Sequence, residues 1–188
     1  MLALALLVSG PTLAGEAEWL AHNGAGISAY RAGDYRAATT RFEAALREAE
    51  SFGASDPRLA TTLNNLAELR RAQGRYEEAE PLFRRSLVIE EKALGPDHPE
   101  VGMMLGNLAG LYREQGRNAE AEPLYRRALG IAEKALGPDH PNVGQSLNNL
   151  ALLYTLQGAT RNLSCCNDAR WESQKKHWDR ITRASGRR

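Results

Sequence analysis

Three prolines of this chain stand at a fixed interval, Pro57, Pro99 and Pro141 (99 − 57 = 42; 141 − 99 = 42). Gly74, Gly116 and Gly158 keep the same step, as do Ala79 with Ala121 and Phe83 with Tyr125. A period of this length constrains the fold more than any composition does. Each period must be one supersecondary unit, and a unit that small buries its apolar side only by stacking on its neighbours. One copy reads HPEVGMMLGNLAGLYREQGRNAEAEPLYRRALGIAEKALGPD. Within it, Leu105, Leu108, Ala109 and Tyr112 recur at three and four residues, which draws one apolar stripe on an α-helix. Ala121, Leu124, Tyr125, Ala128, Leu129 and Ala132 draw a second.

Gly116 falls between the two stripes and permits the left-handed turn that folds the helices back antiparallel. Gly137 and Pro138 end the second helix, and Pro141 suits the first turn of the next. Pro81 and Pro123 each remove one internal hydrogen bond near the start of a second helix, so a slight bend is expected there. A looser copy precedes these, at Gly26, Tyr30, Gly33, Tyr35, Ala38, Phe42, Ala45 and Leu46. Its step to the next copy is 74 − 33 = 41, and ESFGASDP replaces the stricter loop LGPDHP.

Small Ala67, Ala109 and Ala151 at the expected helix contacts, then Gly74, Tyr76, Ala79 and Phe83, and LGPDHP twice, carry a resemblance. The chain resembles the tetratricopeptide repeat, in the 42-residue form of kinesin light chains and many bacterial proteins, from Trp19 to Gly158. The resemblance implies an all-α chain: a right-handed α-solenoid of antiparallel helix hairpins, whose concave face is lined by the first helix of each. The expected organisation is a signal segment over 1–14, hairpins over 15–55, 56–97 and 98–139, a first helix alone over 140–158, and an irregular tail over 159–188.

In this family the concave groove takes an extended peptide or a helix from a partner protein. Asn64 and Asn65, Asn107, and Asn148 and Asn149 occupy the positions the family uses for that purpose. An amide suits the task because it offers both a donor and an acceptor to a peptide backbone. Helix-to-helix hydrogen bonding is the alternative use of the same side chains. Arg71 and Arg113 lie further along the same helices, with Tyr30 at the equivalent place in the first copy. They would meet acidic partner groups, or serve as solvated surface.

No other chemistry is encoded. His98 and His140 recur only because their loop recurs, each after an aspartate, and neither has a third ligand at metal spacing, so they read as loop caps. His22 has no companion. Glycine-rich phosphate loops and nucleophile motifs are missing, and the many glutamates fall on helix faces such as RYEEAE, expected to be exposed. A non-enzymatic chain without metal or cofactor is therefore expected. A formal charge of +1 gives no reason to expect nucleic acid.

Leu2 to Val8 form a short apolar run, followed by Ser9, Gly10, Pro11 and small residues at Thr12 and Ala14. That pattern fits an export signal cleaved after Ala14, although no Lys or Arg precedes it. The run is too short to span a bilayer. An exported or periplasmic protein is expected if the signal works, and a cytoplasmic one otherwise.

The tail breaks every pattern above. From Ala159 it holds eight Lys/Arg and three Asp/Glu, adjacent Cys165 and Cys166 without partners, and a chance-prone sequon at Asn162. Reading the third base of each codon with the first two of the next restores the order. His177 to Arg183, written CAC TGG GAC CGG ATC ACC CGG, yields LGPDHP. With permitted codons, residues 167–183 accommodate all of RRALGIAEKALGPDHP, identical to residues 126–141 and displaced by the same 42. Junctions around Asn162 to Asn167 do not all fit. The reading is a one-base insertion or deletion near Gly158 that put the last residues out of frame, leaving the stripe Leu147, Leu150, Ala151 and Tyr154 without its partner helix and open to self-association. Two functions stay open: a scaffold that binds a partner protein, or the sensor arm of a larger enzyme or signalling protein.

Overall fold

The structure, a computed structural model, describes residues 13–137 and 140–161. The apolar run Leu2 to Val8, the loop residues Pro138 and Asp139, and the tail from Asn162 with its cysteines lie outside the described residues. Seven helices and no strand occur among the described residues: α1 (Leu13–Arg31), α2 (Tyr35–Ser51), α3 (Pro57–Ala72), α4 (Tyr76–Leu94), α5 (Pro99–Glu114), α6 (Asn118–Leu136) and α7 (Pro141–Arg161). The all-α repeat expected from the period is what forms. Helices α1, α3, α5 and α7 open the successive hairpins, and the chain divides into two compact units, Met1–Ala93 and Leu94–Arg188.

The punctuation works as its residues dictate. Gly33, Gly74 and Gly116 turn each first helix into its second at φ of 77°, 73° and 75°, values that favour a residue without a Cβ. Proline opens α3, α5 and α7. Asp34 accepts from the Ala37 N–H at 2.9 Å and so caps α2. Asp56 caps α3 by accepting from the Arg58 N–H at 2.9 Å. In the stricter loops a histidine takes that place: Nδ1 of His98 accepts from the Glu100 N–H at 3.3 Å, and Nδ1 of His140 from the Asn142 N–H at 3.2 Å. Pro81 and Pro123 sit inside α4 and α6, which continue through them.

In the first unit, α2 packs against both α1 and α3. Buried Ala38, Phe42, Leu66 and Leu69 form a cluster there, joined by Ile27, Tyr30, Leu46 and Leu82. Gly26 lets α1 approach α2 closely, since a methyl group on it would meet two ring carbons of Phe42 at 2.6 Å. Polar ties fix the register. The Trp19 Nε1–H donates to Thr62 Oγ1 at 2.8 Å in a buried setting, and the Ser86 hydroxyl donates to the Ala60 carbonyl at 2.7 Å.

In the second unit, α6 lies between α5 and α7 in packing terms, touching both. Val101, Leu105, Leu108 and Ala109 of α5 are buried, as are Ala121, Tyr125 and Ile131 of α6. Lys134 Nζ donates to Asp97 at 2.6 Å and Arg127 to the Pro96 carbonyl at 2.9 Å, so the loop before α5 is held to α6. Lys92 repeats that contact one period earlier by donating to Ser55 Oγ at 3.1 Å. The expectation that the glutamates lie on exposed faces holds for Glu77 and Glu78 but fails at Glu90, which is 1 % exposed. Glu90 occupies the place that alanine holds in the other copies (90 − 49 = 41; 132 − 90 = 42), a core position that charge alone does not reveal.

Candidate functional site

The asparagines and their neighbours fall on one face of each first helix, by helical spacing. On α3 the face runs Thr61, Asn64, Asn65, Glu68 and Arg71. Asn64 and Asn65 are half-buried, and Asn65 Nδ2 donates to Asn23 Oδ1 on α1 at 2.9 Å. One amide of the expected set therefore bridges two first helices. Arg71 pairs with Glu68 at 2.6 Å, one turn back on its own helix. Tyr30, on the corresponding face of α1, lies against Tyr35 with ring centroids 5.8 Å apart.

In the second unit Asn107 is half-buried on α5 with Arg113 beyond it, whose guanidinium is 3.7 Å from Glu114. On α7, Asn148 is exposed, and Asn149 Oδ1 accepts from Gln145 Nε2 at 3.3 Å. Large apolar side chains sit beside these amides. Leu20, 57 % exposed, precedes Asn23 by three residues, and Met103, 54 % exposed, precedes Asn107 by four. Such a face offers amide hydrogen bonds beside greasy contacts. That combination can hold a peptide.

Asn23 and Leu20 were not singled out by sequence reading, although the signal was present. The step from Gly33 to Gly74 is 41, and applied to Asn64 it lands on Asn23. Applied to Thr61 it lands on Leu20, and Met103 follows at 61 + 42. Elsewhere the electrostatics concern structure. The Arg58 guanidinium holds the Asp56 carboxyl below its ordinary value through a paired hydrogen bond, at 2.9 and 2.8 Å. Burial pushes the Tyr154 hydroxyl up, against the opposing pull of Arg126, which donates to it at 3.0 Å. Among the described residues no cluster of His, Cys, Asp or Glu could hold a metal ion, and no helix is long and apolar enough to cross a membrane.

Stacked helical hairpins with a polar and apolar first-helix face define a class: the helical-repeat proteins, whose fold is typically a protein-interaction scaffold. The tetratricopeptide repeat family matches residues 16–87, 58–134 and 100–161, and the chain belongs to that family. Among solved structures, it resembles a Podosopora anserina protein of kinesin-light-chain type with nearly identical TPR-like repeats, at 21 % identity and a TM-score of 0.69. That match covers 91 % of this chain and 89 % of the other. BtubC (BKLC) from P. vanneervenii follows at 20 % identity and TM-score 0.62, covering 94 % and 86 %. The N-terminal domain of stress-induced protein-1 from C. elegans follows at 14 % and 0.53, covering 73 % and 98 %. At these identities the likeness is one of fold. No curated protein matches the sequence.

Proposed function

We propose that this chain is a non-catalytic scaffold that binds an extended segment of a partner protein along the faces of its first helices. The observation that supports it is the placing of amides beside exposed apolar side chains on those faces: half-buried Asn107 with Met103 on α5, and half-buried Asn65 on α3, tied to the buried Asn23 of α1 next to exposed Leu20. An extended peptide has unpaired backbone groups every residue, which the amides match, and alternate side chains that need apolar contact. Arg71 and Arg113 each pair with a glutamate of their own helix, so an acidic ligand group would have to share or displace that partner. We further place the protein outside the cytoplasm, on the apolar run Leu2 to Val8 and the small residues at Thr12 and Ala14.

The test is selection of peptides from a random library on the purified chain, followed by affinity measurements. Asn107→Ala and Asn148→Ala should each weaken binding about fivefold, the loss of about one hydrogen bond, with the unfolding midpoint retained in Asn148→Ala, whose side chain is exposed. Selected ligands whose affinity ignores every asparagine substitution would refute the assignment. The reading as a sensor arm is separated from it by translating the DNA beyond residue 188 in the shifted frame, where a further catalytic domain would favour the sensor.

A further inference from the structure

Helix α7 repeats α5 after 42 residues: Val143 for Val101, Gly144 for Gly102, Leu147 for Leu105, Ala151 for Ala109 and Tyr154 for Tyr112. The environments nevertheless differ. Leu105 and Ala109, on a helix that packs against α6, have no exposed surface, whereas Leu147 and Ala151 are only partly buried. The two glycines differ most. A methyl group on Gly102 would stand 3.2 Å from Ile131 Cγ2 and 3.6 Å from the Ala128 carbonyl oxygen, so α6 comes down on α5 at that point. A methyl group on Gly144 would meet no described atom within 4 Å, and Gly144 is exposed. The notch for an isoleucine is thus kept on α7 and lies open.

The chain itself shows what fits. Read one base out, residues 167–183 permit RRALGIAEKALGPDHP, which sets an isoleucine at 131 + 42 and an alanine at 128 + 42. We propose that the open face of α7, centred on Gly144, Leu147 and Ala151, is a docking seat for an α6-type helix bearing RRALGIAEKAL, with its isoleucine against Gly144. The seat continues an interface already formed, since the same apolar set on α5 receives α6 in this way. The stripe expected to be open is so only in part, since Leu150 and Tyr154 are buried; a helix docked there would cover Leu147 and Ala151, which remain partly exposed.

The probe is a synthetic peptide with the sequence of residues 118–136, labelled and titrated against the full chain in fluorescence anisotropy. Saturable one-to-one binding is expected. It should fall about tenfold or more with Gly144→Leu, which fills the notch, and equally with a peptide carrying Asp at its isoleucine. Gly144→Leu should also raise the melting temperature of the free chain, because leucine is a better helix former than glycine at an exposed site. Weakened binding by a more stable protein excludes misfolding as the cause. The proposal is overturned by no binding to the native chain, by binding that Gly144→Leu leaves unchanged, or by a dimer held through α7, which would make a second copy the occupant.

Discussion

Two glycines of α1, two residues apart, should respond in opposite directions to the same substitution. Gly24 is exposed, and a methyl group there meets no described atom within 4 Å, so Gly24→Ala keeps the helical backbone and gains propensity. The gain is about 0.8–1 kcal/mol. Gly26 takes the same gain but is buried against α2, where the new methyl would stand 2.6 Å from Cδ1 and Cε1 of Phe42. Carbon contacts settle at about 3.5–4.0 Å, so the ring must retreat by roughly 1 Å. Phe42 is buried beside Ala38, Leu66 and Leu69 and has little room to do so. Overpacking of this kind costs about 1–3 kcal/mol, and contact with two ring atoms argues for the upper half of that range. Gly26→Ala should therefore destabilise by about 1–2 kcal/mol net, some 2–3 kcal/mol below Gly24→Ala. Equilibrium urea unfolding followed by circular dichroism measures both, and because both lie on one helix they report on one cooperative unit. Adding Phe42→Leu should recover part of the loss and show coupling between the sites. If Gly26→Ala stabilised the protein as much as Gly24→Ala, the close approach of α1 and α2 would be wrong.

Other perturbations probe the ties between helices. Asp56→Ala removes the cap of α3 and the nearer of two carboxylate partners of Arg58, the other being Glu16 at 3.5 Å, and should cost about 1–2 kcal/mol at neutral pH. The Asp56 carboxyl is held below its ordinary value when folded, so its contribution is complete above the unfolded value and disappears as pH falls through the folded one. The urea midpoints of native and variant chains should accordingly draw together between neutral pH and pH ~3. Trp19→Phe keeps most of the apolar ring but removes the donor to Thr62, whose hydroxyl continues to donate to the Arg58 carbonyl at 2.8 Å. A loss of about 1–2 kcal/mol is expected in the same unfolding assay, with Trp19→Leu costing more.

What could be read from the sequence follows from what a period encodes. Spacing alone placed the turns at Gly33, Gly74 and Gly116, because only backbone freedom is needed there and glycine supplies it in any context. It placed the prolines that open α3, α5 and α7 for a similar reason. The contacts that break periodicity were not legible. Glu90 replaces an alanine in the core, Ser86 reaches Ala60 where neighbouring copies carry alanine (86 − 45 = 41; 128 − 86 = 42), and Trp19 finds Thr62 across two hairpins. Each depends on which side chain stands opposite in three dimensions, a relation that a one-dimensional repeat does not carry. His98 and His140 fall between the two cases, since their recurrence was plain and the structure shows the imidazoles accepting from backbone N–H groups.

The asparagines have two uses that need not compete. A side-chain amide has two N–H donors and an oxygen with two lone pairs. The bond from Asn65 to Asn23 takes one N–H of the first and one lone pair of the second. Tying α3 to α1 in this way also fixes the rotamer of both amides, so a ligand would not have to immobilise them on binding. Ordering a polar side chain at an interface costs about 0.5–1.5 kcal/mol, so amides already held by the fold recognise a peptide backbone more cheaply than free ones would. The helix-to-helix role of Asn65 thus favours the binding role of its face. Asn65→Ala should accordingly lower both the stability of the first unit and its affinity for a selected peptide, whereas Asn148→Ala, on an exposed residue, should lower affinity alone. Equal stability losses from the two substitutions in urea unfolding would show that the tie between α1 and α3 contributes nothing.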